Sequence, residues 1–249
     1  MTGVLPSGVV LLTDRLVARG GLERVVAGAV AQGVRWVVLR EKDLPRAERA
    51  ALAVDLRAIL AAAGGTLVVA GPDPLGGDAV HLPAAGPYPP PALPLVGRSC
   101  HNEAELARLT TEHYATVSPV WPTKSKPGYG PPLNVAGLGS LVRASPVPLL
   151  ALGGVETPDQ VTACVEAGAA GVAVLGALMR AANPEETAHL LTSAFVKAAT
   201  QKLAKSRNGR TEVPRSGLRP TVPTQGSSLT ARSGHGRPQP QSATTEESQ

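Results

Sequence analysis

The fold class that this chain predicts is a compact (β/α)₈ barrel, the TIM-barrel architecture, with a disordered C-terminal tail. Three observations carry that reading. Eight short strand-like segments fit within about 195 residues, the length of a compact barrel. Most are continuously apolar rather than alternating, as strands are when a parallel sheet is covered on both faces. The polar motifs all fall just beyond strand ends, where barrels carry their ligand-binding loops. A doubly wound open sheet is the competing arrangement, but no G-x-G-x-x-G follows the first strand.

Val9 to Thr13 (V-V-L-L-T) reads as a buried strand, followed by a helix over Leu22 to Ala31. Val34 to Leu39 forms the second strand, and the alanine-rich stretch Pro45 to Ala62 the next helix. Thr66 to Ala70 and Ala79 to Leu82 are two further strands. The G-P-D-P-L-G-G-D between them is too short and too rich in breakers for a crossover helix. Leu93 to Arg98, Tyr114 to Val117, Pro148 to Leu152 and Gly171 to Leu175 complete the eight, and a last helix covers Pro184 to Val196. From Gln201 to Gln249, Gly, Ser, Thr, Pro, Gln and Arg dominate. Nothing there repays the entropy of ordering, so this segment reads as a disordered tail.

Composition narrows the function. With 43% hydrophobic residues the chain can bury a sizeable core. It has only six aromatic residues (Trp36, Trp121, Tyr88, Tyr114, Tyr129 and Phe195), so a base-stacking nucleic-acid surface is not expected. The net charge of +5 belongs to the tail. Nine basic residues face three acidic ones from Lys197 onward, which leaves the barrel region near neutral. Cys100 and Cys164 offer neither a disulfide framework nor metal-ligand spacing. No charged-then-apolar leader opens the chain and no apolar run reaches membrane-spanning length, so a soluble cytoplasmic protein is expected.

The most informative segment is V-G-R-S-C-H-N, Val96 to Asn102, where an apolar strand delivers His101 to the sheet rim. Imidazole both takes and gives a proton near neutral pH, although a satisfied core histidine is the alternative. Gly153-Gly154 closes the seventh strand and Leu175-Gly176 the eighth, the pair of strand ends that in barrels commonly hold a phosphate. Tight turns would look the same. Ser118 to Lys126 (S-P-V-W-P-T-K-S-K) places Thr123, Lys124, Ser125 and Lys126 in a loop that could fold over an anion or lie solvated. Arg40-Glu41-Lys42 puts charges at the same rim, as ligand contacts or as a surface ion pair. His81 ends the fourth strand, while His113 and His189 fall outside any motif.

Taken in order, T-D-R (Thr13 to Arg15), R-E-K, V-H-L-P, G-R-S-C-H-N, P-V-W-P-T-K-S-K-P, A-L-G-G-V and G-V-A-V-L-G-A-L resemble the thiamine-phosphate synthase/TenI superfamily over residues 9 to 196. The resemblance implies a (β/α)₈ barrel, a thiazole-phosphate ligand and a homodimer. It implies one of two activities. Synthases join a pyrimidine diphosphate to thiazole phosphate with Mg²⁺; TenI-type tautomerases aromatise a carboxythiazole phosphate without metal.

Several positions depart from the synthase pattern: Val38 stands where synthases carry Gln, Ala70-Gly71 where they carry Asn-Asp, and Pro83-Ala84-Ala85-Gly86 where they carry G-Q-x-D. Both metal-binding carboxylates are thus missing, although Asp73 and Asp78 lie nearby as a displaced alternative. V-H-L-P and G-R-S-C-H-N are similar to the tautomerase branch, which implies that His101 is the acid–base residue. Carried over by position, Ser125, Gly154, Leu175 and Gly176 would bind the phosphate, Thr123 and Lys126 would close over it, and Ser99 would line the pocket. Lys42 matches a diphosphate-binding Lys of the synthases. The expected function is therefore a metal-independent thiazole tautomerase with no cofactor. The alternatives are a thiamine-phosphate synthase with an altered metal site, or a non-catalytic thiazole-phosphate binder.

Overall fold

A computed structural model describes residues 5–123 and 130–208. Ser125 and Lys126 lie outside the described residues, as does the expected tail beyond Asn208. The chain divides into a unit of Met1–Thr211, which carries the fold, and a second of Glu212–Gln249.

Eight parallel strands close into a barrel in sequence order: β1 Gly8–Leu12, β2 Trp36–Leu39, β3 Thr66–Ala70, β4 Ala79–Leu82, β5 Leu95–Cys100, β6 Tyr114–Val117, β7 Leu149–Leu152 and β8 Gly171–Val174. β1 pairs with β8 through Gly8↔Gly171 to Leu11↔Val174, which removes both sheet edges and excludes the open doubly wound arrangement. The fold class is as expected, and the strand bounds move by a residue or two. The largest shift is in β5, which starts at Leu95 and runs on to Cys100, so His101 follows the strand end directly.

Helices α1 Leu22–Ala31, α2 Arg46–Ala61, α3 Glu103–Leu106, α4 Asn134–Ala144, α5 Pro158–Glu166, α6 Gly176–Met179 and α7 Pro184–Asn208 surround the sheet. No helix joins β3 to β4 or β4 to β5, and the Pro- and Gly-rich composition of both links accounts for it. α7 corrects the tail boundary, because residues 201–208 continue the helix instead of opening the tail. No Gly or Pro interrupts this stretch before Gly209. Lys202 Nζ also donates to the Val165 carbonyl at 2.8 Å, and Lys205 and Arg207 sit at the helix end where cations are favoured.

Strand residues alternate between two cores. Val9, Leu11, Val37, Val69, Val117 and Val172 face the helices. Val10, Trp36, Val38, Val68, Tyr114, Leu150 and Ala173 fill the barrel interior. Gly97 is the inward position that makes room for the large Tyr114 ring, since a Cβ there would fall 2.1 Å from Tyr114 Cζ. Among the described residues no helix is long and apolar enough to cross a membrane.

Candidate active site

A cavity of about 500 Å³ opens at the C-terminal ends of the strands. Arg40 and Lys42 (after β2), Ser99 and His101 (on and after β5) and Thr123 (after β6) line it. So do Gly153 and Gly154 after β7, and Leu175 and Gly176 after β8. Barrel closure thus gathers every described residue of the expected site into one space.

His101 is oriented by a local device. Asn102 caps α3, its side chain accepting the Glu105 N–H at 2.9 Å. That first turn swings the Glu105 carboxylate back, where one oxygen accepts the His101 N–H at 2.8 Å and meets Nδ1 at 2.9 Å. With Glu105 ionised, the proton of the neutral ring sits on Nδ1 and the lone pair on Nε2. An imidazole so held is able to accept and return a proton at Nε2. The residue-level reading missed Glu105, although N-x-x-E at 102–105 is the sequence signature of a capped turn.

Deeper in the barrel, His81 points inward from β4. Its Nδ1 lies 3.1 Å from Tyr114 Oη, and its Nε2 lies 3.0 Å from Ser99 Oγ and 3.3 Å from Thr116 Oγ1. Register explains the meeting, since His81 pairs with Gly97, and Ser99 with Thr116. Burial, then the positive charges of Lys42 and Arg98, push His81 down to about 3, so it is neutral at neutral pH. Because its folded value lies below the unfolded one, the stability it confers is full above about pH 6.5 and lost as pH falls toward about 3. Its imidazole resonances are accordingly expected not to titrate between about pH 8 and pH 5 in NMR spectra. A midpoint near 6.5 would show that the Ser99–Thr116–Tyr114 setting does not hold in solution.

The R-E-K segment divides by direction. Arg40 and Lys42 face the cavity, whereas Glu41 is buried and accepts the Arg15 N–H at 3.1 Å and Arg15 Nη1 at 3.2 Å. The Thr13 hydroxyl accepts the Arg40 N–H at 2.9 Å. T-D-R and R-E-K therefore clamp each other across neighbouring strand ends. Arg98, inside G-R-S-C-H-N, points outward and is wholly buried. It meets Glu112 at 2.5 Å, donates to the Pro83 and Pro87 carbonyls at 3.0 and 2.9 Å, and stacks on Tyr88. It thereby holds the segment after β4, whose Pro83, Ala84 and Ala85 wall the cavity.

Gly153 and Gly154 have φ of +96° and +70°, and a Cβ at Gly154 would fall 2.6 Å from the Pro122 carbonyl oxygen. The turn is packed against residues 119–122, which continue beside β7 through Val120 N–H to Leu152 and Trp121 N–H to Gly153. These glycines are required by the turn and also face the cavity, so the two expectations for them are compatible. Arg180, Asp14 and Glu156 line the same space and were not anticipated: Asp14 lies within T-D-R but was given no role, and Arg180 and Glu156 lie a few residues beyond their strands with no motif to mark them.

Comparison with known proteins gives these features a lineage. The sequence profile of the family described as thiamine monophosphate synthase (TMP-TENI) matches residues 9–178. The chain belongs to this family. Among curated relatives, a Geobacter sulfurreducens protein provisionally named thiamine-phosphate synthase is 36% identical over 196 residues, covering 73% of this chain and 91% of that one. The thiamine-phosphate synthase of Anaeromyxobacter dehalogenans is 35% identical over 199 residues, covering 71% and 88%. A solved thiamine phosphate pyrophosphorylase from Pyrococcus furiosus superposes with a TM-score of 0.66 at 21% identity, over 77% of this chain and 96% of that one, a likeness of fold.

The donor chemistry of this family member does not suit the Mg²⁺ that the family's synthases imply. Gly71 and Gly86 stand at the two positions where synthases carry a carboxylate and offer no side-chain oxygen, and the neighbouring cavity wall is Ala70, Pro83, Ala84 and Ala85. Asp73 is engaged elsewhere, 2.7 Å from Arg46 Nε and accepting the Leu75 N–H at 2.9 Å. Asp78 directly precedes β4, at the opposite end of the barrel. Among the described residues two carboxylates line the cavity, Asp14 after β1 and Glu156 after β7, and β8 lies between their strands. Among the described residues no cluster of three His, Cys, Asp or Glu could hold an ion.

Proposed function

We propose that the chain is an enzyme of thiamine biosynthesis that binds a thiazole phosphate in the barrel mouth, and that its reaction is tautomerisation of the thiazole ring. The observation that carries this is an imidazole, His101, oriented by Glu105 on the rim of a cavity whose wall lacks a donor set for a divalent cation. Converting an exocyclic tautomer to the aromatic ring removes one proton and delivers one, with no net change in composition. A single imidazole reaching both positions returns at the second the proton it took at the first, a contribution of about 10²–10⁴-fold. Gly153, Gly154, Leu175 and Gly176 would hold the phosphate and fix the ring against His101. Ser125 would join them on the phosphate, Thr123 and Lys126 would close over it, and Ser99 would line the ring's pocket. A homodimer in the cytoplasm belongs to the same proposal.

The second reading is thiamine-phosphate synthase, and the names of the relatives support it better than they support the tautomerase. Lys42 on the cavity wall also favours it, as a cation for a diphosphate. The cavity wall argues the other way, because a departing diphosphate needs its charge neutralised. One pair of assays separates the two. Purified protein in EDTA is given the carboxythiazole phosphate tautomer and followed by NMR. In parallel it is given hydroxymethylpyrimidine diphosphate, thiazole phosphate and Mg²⁺. Aromatisation in EDTA without thiamine phosphate in the second tube is expected. Thiamine phosphate formation would install the synthase reading, and silence in both tubes would overturn the enzyme.

A further inference from the structure

Four charged side chains stand along adjacent strand ends of the mouth: Glu156 after β7, Arg180 after β8, Asp14 after β1 and Arg40 after β2. They form two loose pairs, with Arg180 Nη2 3.9 Å from Glu156 Oε1 and Arg40 Nη1 3.8 Å from Asp14 Oδ2. Charge-assisted hydrogen bonds run at about 2.7–2.9 Å, so neither pair is closed. All four side chains are 32–43% exposed, where such pairs contribute little. Either arginine can therefore exchange its carboxylate for a ligand anion at small cost.

The two arginines differ in what lies beneath them. Arg180 is folded across Gly176, where a Cβ would fall 2.0 Å from Nη2 and 2.6 Å from Cζ. Its guanidinium thus covers the glycine-bearing end of β8, beside the Gly153–Gly154 turn on the same wall. A side chain at 176 would have to displace the guanidinium, which can move because it is the far end of a flexible side chain. Arg40 is tied down instead, its backbone N–H held by Thr13 Oγ1 at 2.9 Å and its Nη1 donating to the Thr13 carbonyl at 3.4 Å.

We infer that Arg180 closes on the ligand's phosphate group, exchanging its loose contact with Glu156 for the anion. This rests on the phosphate reading proposed above. Two parallel N–H donors match two phosphate oxygens, an arrangement that a lysine does not reproduce.

The test is calorimetric titration of the full chain with three probes: thiazole phosphate, inorganic phosphate and the unphosphorylated thiazole alcohol. Arg180→Gln is expected to weaken both phosphate-bearing probes by roughly 10–100-fold, as loss of hydrogen bonds to a charged group does, and to leave the alcohol unchanged. Arg180→Lys should fall between Gln and the original residue. Glu156→Gln, which removes the competing carboxylate, should bind phosphate at least as tightly as the unaltered protein. Arg180 is half-exposed, and thermal melting of both Arg180 variants checks that they fold.

Equal thiazole-phosphate affinity in Arg180→Gln and the unaltered protein overturns the inference and leaves the proposed function standing. A general loss that includes the alcohol also overturns it. Arg180-dependent binding of inorganic phosphate, in a protein indifferent to both thiazoles, keeps Arg180 and removes the thiazole reading. No binding of any phosphate-bearing probe removes both.

Discussion

His101→Asn is expected to lower turnover of the thiazole phosphate by about 10²–10⁴-fold, the contribution of a positioned acid–base group. Asn retains the backbone N–H that Glu105 accepts at 2.8 Å, and the cap of α3 by Asn102 is untouched. The fold around the rim should therefore survive, and the dissociation constant of thiazole phosphate should stay near its original value. Single-turnover rates and calorimetric binding, measured on the same preparation, separate the two effects. Full turnover in His101→Asn would remove His101 as the shuttle. Loss of binding in step with loss of rate would make it a binding residue. Glu105→Gln is the companion variant, keeping a hydrogen-bond partner at Nδ1 without the charge that selects the tautomer.

The largest loss of stability is expected from Glu112→Ala, at about 3–5 kcal/mol by urea denaturation, because it leaves the Arg98 charge buried without its counter-ion. Both side chains are 0% exposed, so water cannot take over. Replacing both, as Arg98→Met with Glu112→Leu, should cost less than Glu112→Ala alone, since no charge is then stranded. If the single variant costs under about 1 kcal/mol, the pair is not a buried clamp.

The same pair sets a pH dependence. Burial would raise the Glu112 carboxyl, but the Thr110 N–H and the Arg98 guanidinium outweigh it and hold it below the ordinary carboxylate range. Its contribution is therefore complete above the unfolded value of about 4.3 and lost as pH falls through the lower folded value. Because Arg98 also ties down Pro83 and Pro87, acid should loosen the β4-side wall of the cavity along with the core.

How far the site could be read in advance varies residue by residue. His101 was legible because β5 ends in an abrupt change from apolar to polar residues, and such a break marks a rim position. The four positions at the ends of β7 and β8 were legible for a similar reason, since glycine at a strand end signals a turn that approaches something closely. Arg98 lies in the middle of the most informative motif yet turns its back on the cavity. Its outward direction follows from strand parity, with Gly97, Ser99 and His101 on one face and Arg98 and Cys100 on the other. Which face is inside depends on how the sheet closes. Arg180 carried no signal of its own, being a single arginine beyond a four-residue helix.

Continuous apolar runs, breakers between them and polar residues at their ends are local properties, and they were enough to mark eight strands and to say which end carries the chemistry. Partnership is not local. His81 meets Ser99, Thr116 and Tyr114 across 18 to 35 residues of chain, and Glu112 finds Arg98 on the neighbouring strand through the segment that links them. These contacts exist because the consecutive strands β4, β5 and β6 lie side by side in parallel register. Only that pairing buries one histidine among hydroxyls in the barrel interior and leaves it neutral, while the other, held by Glu105, stands at the rim.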